Sequence, residues 1–225
     1  MKRFVSSAVI LSTLLLVSVS AFAHSGGELL SFQGIGDMQE VGNYYDGGGL
    51  HHTRNYGVTF SSNIFALRSV FNGGNGEFST TPTGTPSIFI EGTTGAAATG
   101  VLNASRGFSN GFNFYYTAGF TGNQMGTVTI WSGANGTGTV LATITLANNN
   151  SACSSPSYCN WSSDGVNFSG TAHSVTFSGP ANELGLADIT LGTKSSAVPE
   201  PSSFLLLGTG LAGVSFFRIR RFFGV

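Results

Sequence analysis

Thr127-Val128-Thr129-Ile130-Trp131-Ser132-Gly133-Ala134-Asn135-Gly136-Thr137-Gly138-Thr139-Val140-Leu141-Ala142-Thr143-Ile144-Thr145-Leu146 decides the fold of this chain. In residues 127–131 and again in 139–146, apolar side chains alternate with threonines, which is the two-residue period of a half-buried strand. The Asn135-Gly136 pair between them supplies the positive φ angles of a tight hairpin turn. Working outward, residues 29–34, 57–61, 64–69, 87–91, 111–117, 165–169, 173–178 and 183–191 also read as strands, and no segment from 28 to 193 keeps a helical period. About ten strands separated by Gly, Asn and Ser turns predict an all-β chain, an antiparallel β-sandwich of jelly-roll-like form. Residues 72–86 and 148–163 read as loops.

The two ends of the chain differ from this middle. Lys2 and Arg3, an apolar stretch over 8–19 and the small residues Ala21 and Ala23 form a signal peptide, residues 1–23, with cleavage expected after Ala23. At the other end, residues 198–225 read Val198-Pro199-Glu200-Pro201-Ser202-Ser203, then fourteen uncharged positions from Phe204 to Phe217, then Arg218, Arg220 and Arg221. As a helix those positions span roughly 21 Å, short of the roughly 30 Å hydrocarbon layer, which suits a stop that holds a chain only until it is processed. Basic residues stay on the cytoplasmic side, so both ends are expected inside and the middle outside.

Between the signals, residues 24–197 form one domain. Nine acids stand against Arg54, Arg68, Arg106 and Lys194, leaving this segment near −5 although the whole chain is −1. That balance excludes nucleic acid as a partner, since phosphates demand a basic face. Cys153 and Cys159 are the only cysteines, both exported, and are expected to form a disulfide.

Pro199-Glu200-Pro201, the apolar segment and the arginine cluster resemble the PEP-CTERM sorting signal. The resemblance implies a Gram-negative host and processing by the membrane protease exosortase, with signal peptidase acting at the other end. It also implies transient anchoring in the inner membrane through the C-terminal helix, then delivery to the cell surface, outer envelope or an extracellular polysaccharide or biofilm matrix. Residues 30–34, 41–48, 55–61, 172–177 and 185–191 resemble the β-rich passenger domain common in that family. Gln33 replaces the acid of its Phe-Glu-Gly, and Ala187 leaves a single acid, Asp188, where it has a pair.

No catalytic constellation stands out. Gly208-Thr209-Gly210-Leu211-Ala212-Gly213 matches a dinucleotide fingerprint, but only twelve residues follow it and none is acidic. His51 and His52 are adjacent and would point to opposite faces of a strand, and His173 sits in an alternating strand. No metal site is expected. Calcium, which favours carboxylates and carbonyls, would draw on Glu28, Asp37, Asp46 and Asp188, although no Asp-x-Asp-x-Asp loop is present. Tyr44, Tyr45, Tyr115, Tyr116, Trp131, Tyr158 and Trp161 are the aromatics able to stack on a sugar ring. The expectation is an exported structural or polysaccharide-binding module with no cofactor and no catalysis. The alternative is a carbohydrate-active enzyme, a hydrolase or lyase, of the same fold, which would need two carboxyls across one bond.

Overall fold

The structure is a computed structural model that describes residues 27–48 and 55–192. The signal peptide with Ala21 and Ala23, the pair His51 and His52, Arg54, and the sorting tail with Pro199, Glu200, Pro201, Arg218, Arg220 and Arg221 lie outside the described residues. Among the described residues no helix is long and apolar enough to cross a membrane.

The fold is all-β and antiparallel. Its strands are β1 (Glu28–Leu30), β2 (Gln39–Glu40), β3 (Val58–Phe60), β4 (Ile64–Leu67), β5 (Ser87–Ile90), β6 (Ala97–Ala118), β7 (Gly126–Trp131), β8 (Val140–Leu146), β9 (Ser162–Pro180) and β10 (Leu184–Leu191). They hydrogen-bond in the order β2-β4-β5-β10-β6-β9-β7-β8, with β1 on β10 and β3 on β6. The expected hairpin is β7–β8. Its turn has Asn135 at φ 55° and Gly136 at φ 68°, and the Thr137 N–H donates to Ala134 O at 3.2 Å, as a mirror-image two-residue turn requires.

The two long strands organise the molecule. β6 and β9 pair along most of their length, but the register shifts between Asn103 and Phe108 and again between Ser109 and Asn110. Gly107 (φ 68°) and Gly170 (φ 95°) sit at these shifts, where the left-handed conformation is cheapest for glycine. The first half of β6 pairs with β3 and the second with β10, so the sheet folds over. Phe112 on β6 meets Phe177 on β9 with ring centres 6.2 Å apart, and one apolar core runs from Leu30 to Leu191. Gly100 is a close-packing point, because a Cβ there would lie 2.6 Å from Ile64 Cδ1.

Three expectations are corrected here. Residues 165–169 and 173–178 are one strand, β9. Residues 111–117 are the end of β6, whose first half, rich in Ala, Thr, Gly and Ser, carries no apolar alternation to reveal it. Residues 29–34 hold only β1, because Phe32 (φ 58°) and Gly34 (φ 88°) turn the chain.

β10 is buried along its whole length. One face lies on the core, and residues 77–86 cover part of the other. A Cβ on Gly185 would meet the Phe78 ring at 2.7 Å, and Phe78, Leu67 and Phe89 form a second small apolar cluster there.

Candidate functional site: an open polar groove across β10, β6 and β9

The pairing of β10 with β6 is interrupted between Ala187 and Thr190 by a bulge holding Asp188 at φ 49°, a conformation aspartate tolerates better than most residues. The buried Asp188 carboxylate is fastened from outside by two hydroxyls. Thr83 Oγ1 donates to Oδ2 at 2.5 Å and Thr85 Oγ1 to Oδ1 at 3.1 Å. Thr81 Oγ1 in turn donates to Thr85 O at 2.6 Å, stiffening the loop that carries both threonines.

Beside this clasp lies an open groove of about 460 Å³ lined by Asn113, Phe114, Tyr115, Ser163, Asp164, Gly165, Asp188 and Thr190. The register builds it: Thr190 pairs with Asn113, Asn113 with Gly165, and Tyr115 with Ser163, so these residues share one face. Gly165 leaves room for the Asn113 side chain, whose amide would collide with a Cβ there. The Asp164 carboxylate accepts from the Gly165 N–H at 2.7 Å. Among the described residues the side-chain polar atoms of Asn113, Tyr115, Ser163 and Thr190 have no hydrogen-bond partner. The groove therefore offers an amide, hydroxyls and a half-exposed aromatic ring.

The structure does not gather the calcium candidates. Among the described residues no three His, Cys, Asp or Glu side chains lie close enough to hold a metal ion. Asp37 accepts from Arg68 N at 2.6 Å, Asn75 N at 2.9 Å and Asn75 Nδ2 at 2.7 Å, closing a loop. Asp46 is exposed in a 3-10 turn, Glu28 lies on β1 opposite Leu191, and Asp188 is held by its threonines. His173 is half-buried, with Nδ1 3.3 Å from Ala104 O.

Of the seven candidate aromatics, Tyr115 lines the groove. Tyr45 is buried against Phe32 and accepts from its N–H at 2.6 Å; burial raises its pKa well above the ordinary value. Tyr116 is in the core, with its pKa likewise raised by burial. Tyr44 donates to Gln33 O at 2.7 Å and Trp131 to Thr176 Oγ1 at 3.0 Å. Tyr158 stacks edge-on against Phe78 at 4.7 Å, and burial, aided by Glu183 and Glu77, pushes its phenol up to about 12.

Cys153 and Cys159 form a disulfide. Its loop docks on residues 77–79, the start of the segment that ends in the threonine clasp. Ser79 N donates to Tyr158 O at 2.8 Å, Ser157 Oγ to Glu77 Oε2 at 2.6 Å, Ser79 Oγ to Cys159 O at 3.1 Å, and Trp161 Nε1 to Ser79 O at 3.1 Å.

Residues 197–221 match the family model of the PEP-CTERM protein-sorting motif. No curated protein matches the chain. Among solved structures, the chain is similar to a family 6 carbohydrate-binding module at 13% identity and TM-score 0.38, covering 74% of this chain and 93% of that one. It is similar to the K1 cleaved adhesin domain of Lys-gingipain from Porphyromonas gingivalis W83 at 11% identity and TM-score 0.38, covering 60% and 98%. It is also similar to a family 11 carbohydrate-binding module from Clostridium thermocellum at 14% identity and TM-score 0.35, covering 75% and 96%. The described residues are all-β and antiparallel, and the matched motif implies an exported protein. The chain therefore joins an all-β region to a PEP-CTERM protein-sorting motif at residues 197–221.

Proposed function

We propose that the protein is a non-catalytic, polysaccharide-associated component of the cell envelope or extracellular matrix of a Gram-negative bacterium. Signal peptidase trims it at residue 23, and exosortase processes its tail. Residues 24–197 remain as a sandwich-like binding module, the folded sheet supplying its two layers. The observation that carries the binding reading is the groove itself, where Asn113, Tyr115, Ser163 and Thr190 present unpartnered polar atoms around an open aromatic face. Such groups match the hydroxyls and apolar ring faces of a sugar. The domain's negative charge favours neutral glycans over acidic ones.

A hydrolase needs one carboxyl to give a proton and another to act as base or nucleophile. The groove's two acids are otherwise engaged, Asp188 by two threonine hydroxyls and Asp164 by a backbone N–H, which favours binding over turnover. A glycan array and a hydrolase panel test both readings. Binding of neutral glycans lost in Tyr115→Ala, with no turnover, supports the proposal. Turnover abolished by Asp164→Asn assigns an enzyme instead.

A further inference from the structure

Two acids are buried among the described residues, Asp188 and Glu183. Asp188 is held by its threonines. Glu183, in the turn between β9 and β10, is 9% exposed, and its Oε2 is buried without a hydrogen-bond partner. Buried charges are as a rule paired or bound to a metal, because an isolated carboxylate is costly to take out of water. No basic side chain of the described residues neutralises this one. Arg68 reaches Ile35 O at 3.5 Å, Arg106 packs beside Gly57, and His173 sits by Ala104 O at 3.3 Å; these are the only Lys, Arg or His residues described.

Three segments converge on the Glu183 carboxylate. Its own turn is fixed by the Glu183 N–H donating to Pro180 O at 3.3 Å and the Gly119 N–H donating to Glu183 O at 3.1 Å. Residues 92–95 are laid against that turn. Asn182 Nδ2 donates to Gly92 O at 2.7 Å and to Thr94 Oγ1 at 3.0 Å, and the Gly95 N–H donates to Ala181 O at 3.2 Å. Gly95, at φ 76°, meets the carboxylate without a side chain, and a Cβ there would lie 3.5 Å from Glu183 Oε1. From residues 119–124, Gln124 Nε2 reaches Gly95 O at 3.5 Å, and Thr121 Oγ1 donates to Gln124 Oε1 at 3.1 Å. Turning the Gln124 amide over brings its oxygen to the Gly95 side, and the Thr121 hydroxyl then accepts from the amide nitrogen.

We infer that Glu183 anchors a calcium site, in which its carboxylate, the Gly95 carbonyl and the Gln124 amide oxygen hold the ion and water completes the shell. Every ligand on offer is a hard oxygen. Calcium takes carboxylate, carbonyl and water together in a flexible shell, whereas zinc sites are built mainly from nitrogen and sulfur. A single carboxylate makes a weak site, comparable to the roughly 10⁻⁴–10⁻³ M of extracellular calcium modules, and the matched motif implies export. Because the ligands come from three separate segments, no short sequence motif announces them. The site does not depend on what the groove binds.

Terbium(III) takes the same oxygen ligands as calcium and emits when a nearby phenol passes energy to it. Tyr158, whose hydroxyl donates to Asn182 O at 3.3 Å, is that phenol. With the full-length chain in mild detergent, saturable terbium emission that calcium competes away is expected. Glu183→Gln should weaken terbium about tenfold or more, and Gln124→Leu, at an exposed position, about threefold. Millimolar calcium should raise the melting temperature of the unaltered chain and leave that of Glu183→Gln unmoved. Without calcium, Glu183→Gln should melt at or above the unaltered chain, because a neutral amide is cheaper to bury than an unpaired charge. Terbium affinity unchanged in either variant, a melting temperature that calcium does not raise, or a calcium-free Glu183→Gln chain that melts lower, as a merely structural carboxylate requires, would each overturn the inference.

Discussion

Thr83 and Asp188, 105 residues apart in sequence, are joined by a 2.5 Å hydrogen bond from hydroxyl to carboxylate. The bond fastens the loop of residues 77–86 over the bulge in β10 and sets one wall of the groove. A buried carboxylate held by two hydroxyls costs much to disturb. Asp188→Ala removes the acceptor and leaves alanine at φ 49°; a loss of about 3 kcal/mol is expected, against about 1 kcal/mol for Thr83→Val. Urea unfolding of both variants measures this, and equal midpoints would contradict the clasp.

The disulfide reaches the same clasp through residues 77–79. Replacing Cys153 and Cys159 together by serine should cost about 2 kcal/mol for a loop of this size. Amide hydrogen exchange should also speed up through residues 77–85, beyond the cysteine loop itself. Acceleration confined to 150–160 would show that the loop is not propped from that side.

Alkaline stability should follow Tyr158. Its phenol titrates at about 12 in the folded chain against 10.0 ordinarily, so the unfolded chain loses this proton first. The contribution is complete below about pH 10 and is lost as the pH rises toward 12. Urea midpoints should fall across that window and fall less in Tyr158→Phe. Tyr45, raised in the same direction, keeps the slope from vanishing. A slope identical in the variant would show that Tyr158 does not contribute to the alkaline loss of stability.

Much of the fold was legible because half-buried strands announce themselves by alternation. Residues 127–146 and 183–191 appear as read, and Asn135-Gly136 turns where expected. Residues 97–110 did not, because Ala, Thr, Gly and Ser make a strand only when β3 and β9 are already beside them, a tertiary override of weak propensity. The groove was legible at Tyr115 and Asp188 alone. Asn113, Ser163, Asp164 and Thr190 come from three distant segments, and only the register of β6 against β9 and β10 brings them together. The carboxylates named for calcium failed to converge because Asp37 and Asp188 are used up by loop amides and hydroxyls.

The matched sorting motif lies outside the described residues. Glu200→Ala should leave folding untouched and keep the protein in the membrane fraction of a host that makes exosortase. Fractionation by immunoblot reads this, and normal release would argue against processing at Pro199-Glu200-Pro201.

The groove across β10, β6 and β9 is expected to take up a neutral polysaccharide. Titrating neutral oligosaccharides into isotopically labelled residues 24–197, and following each backbone amide by NMR, tests it most directly. Saturable shifts centred on Asn113, Tyr115, Ser163, Gly165 and Thr190, absent in Tyr115→Ala, are expected. Saturable shifts centred on any other face, or none with any neutral glycan, would contradict it.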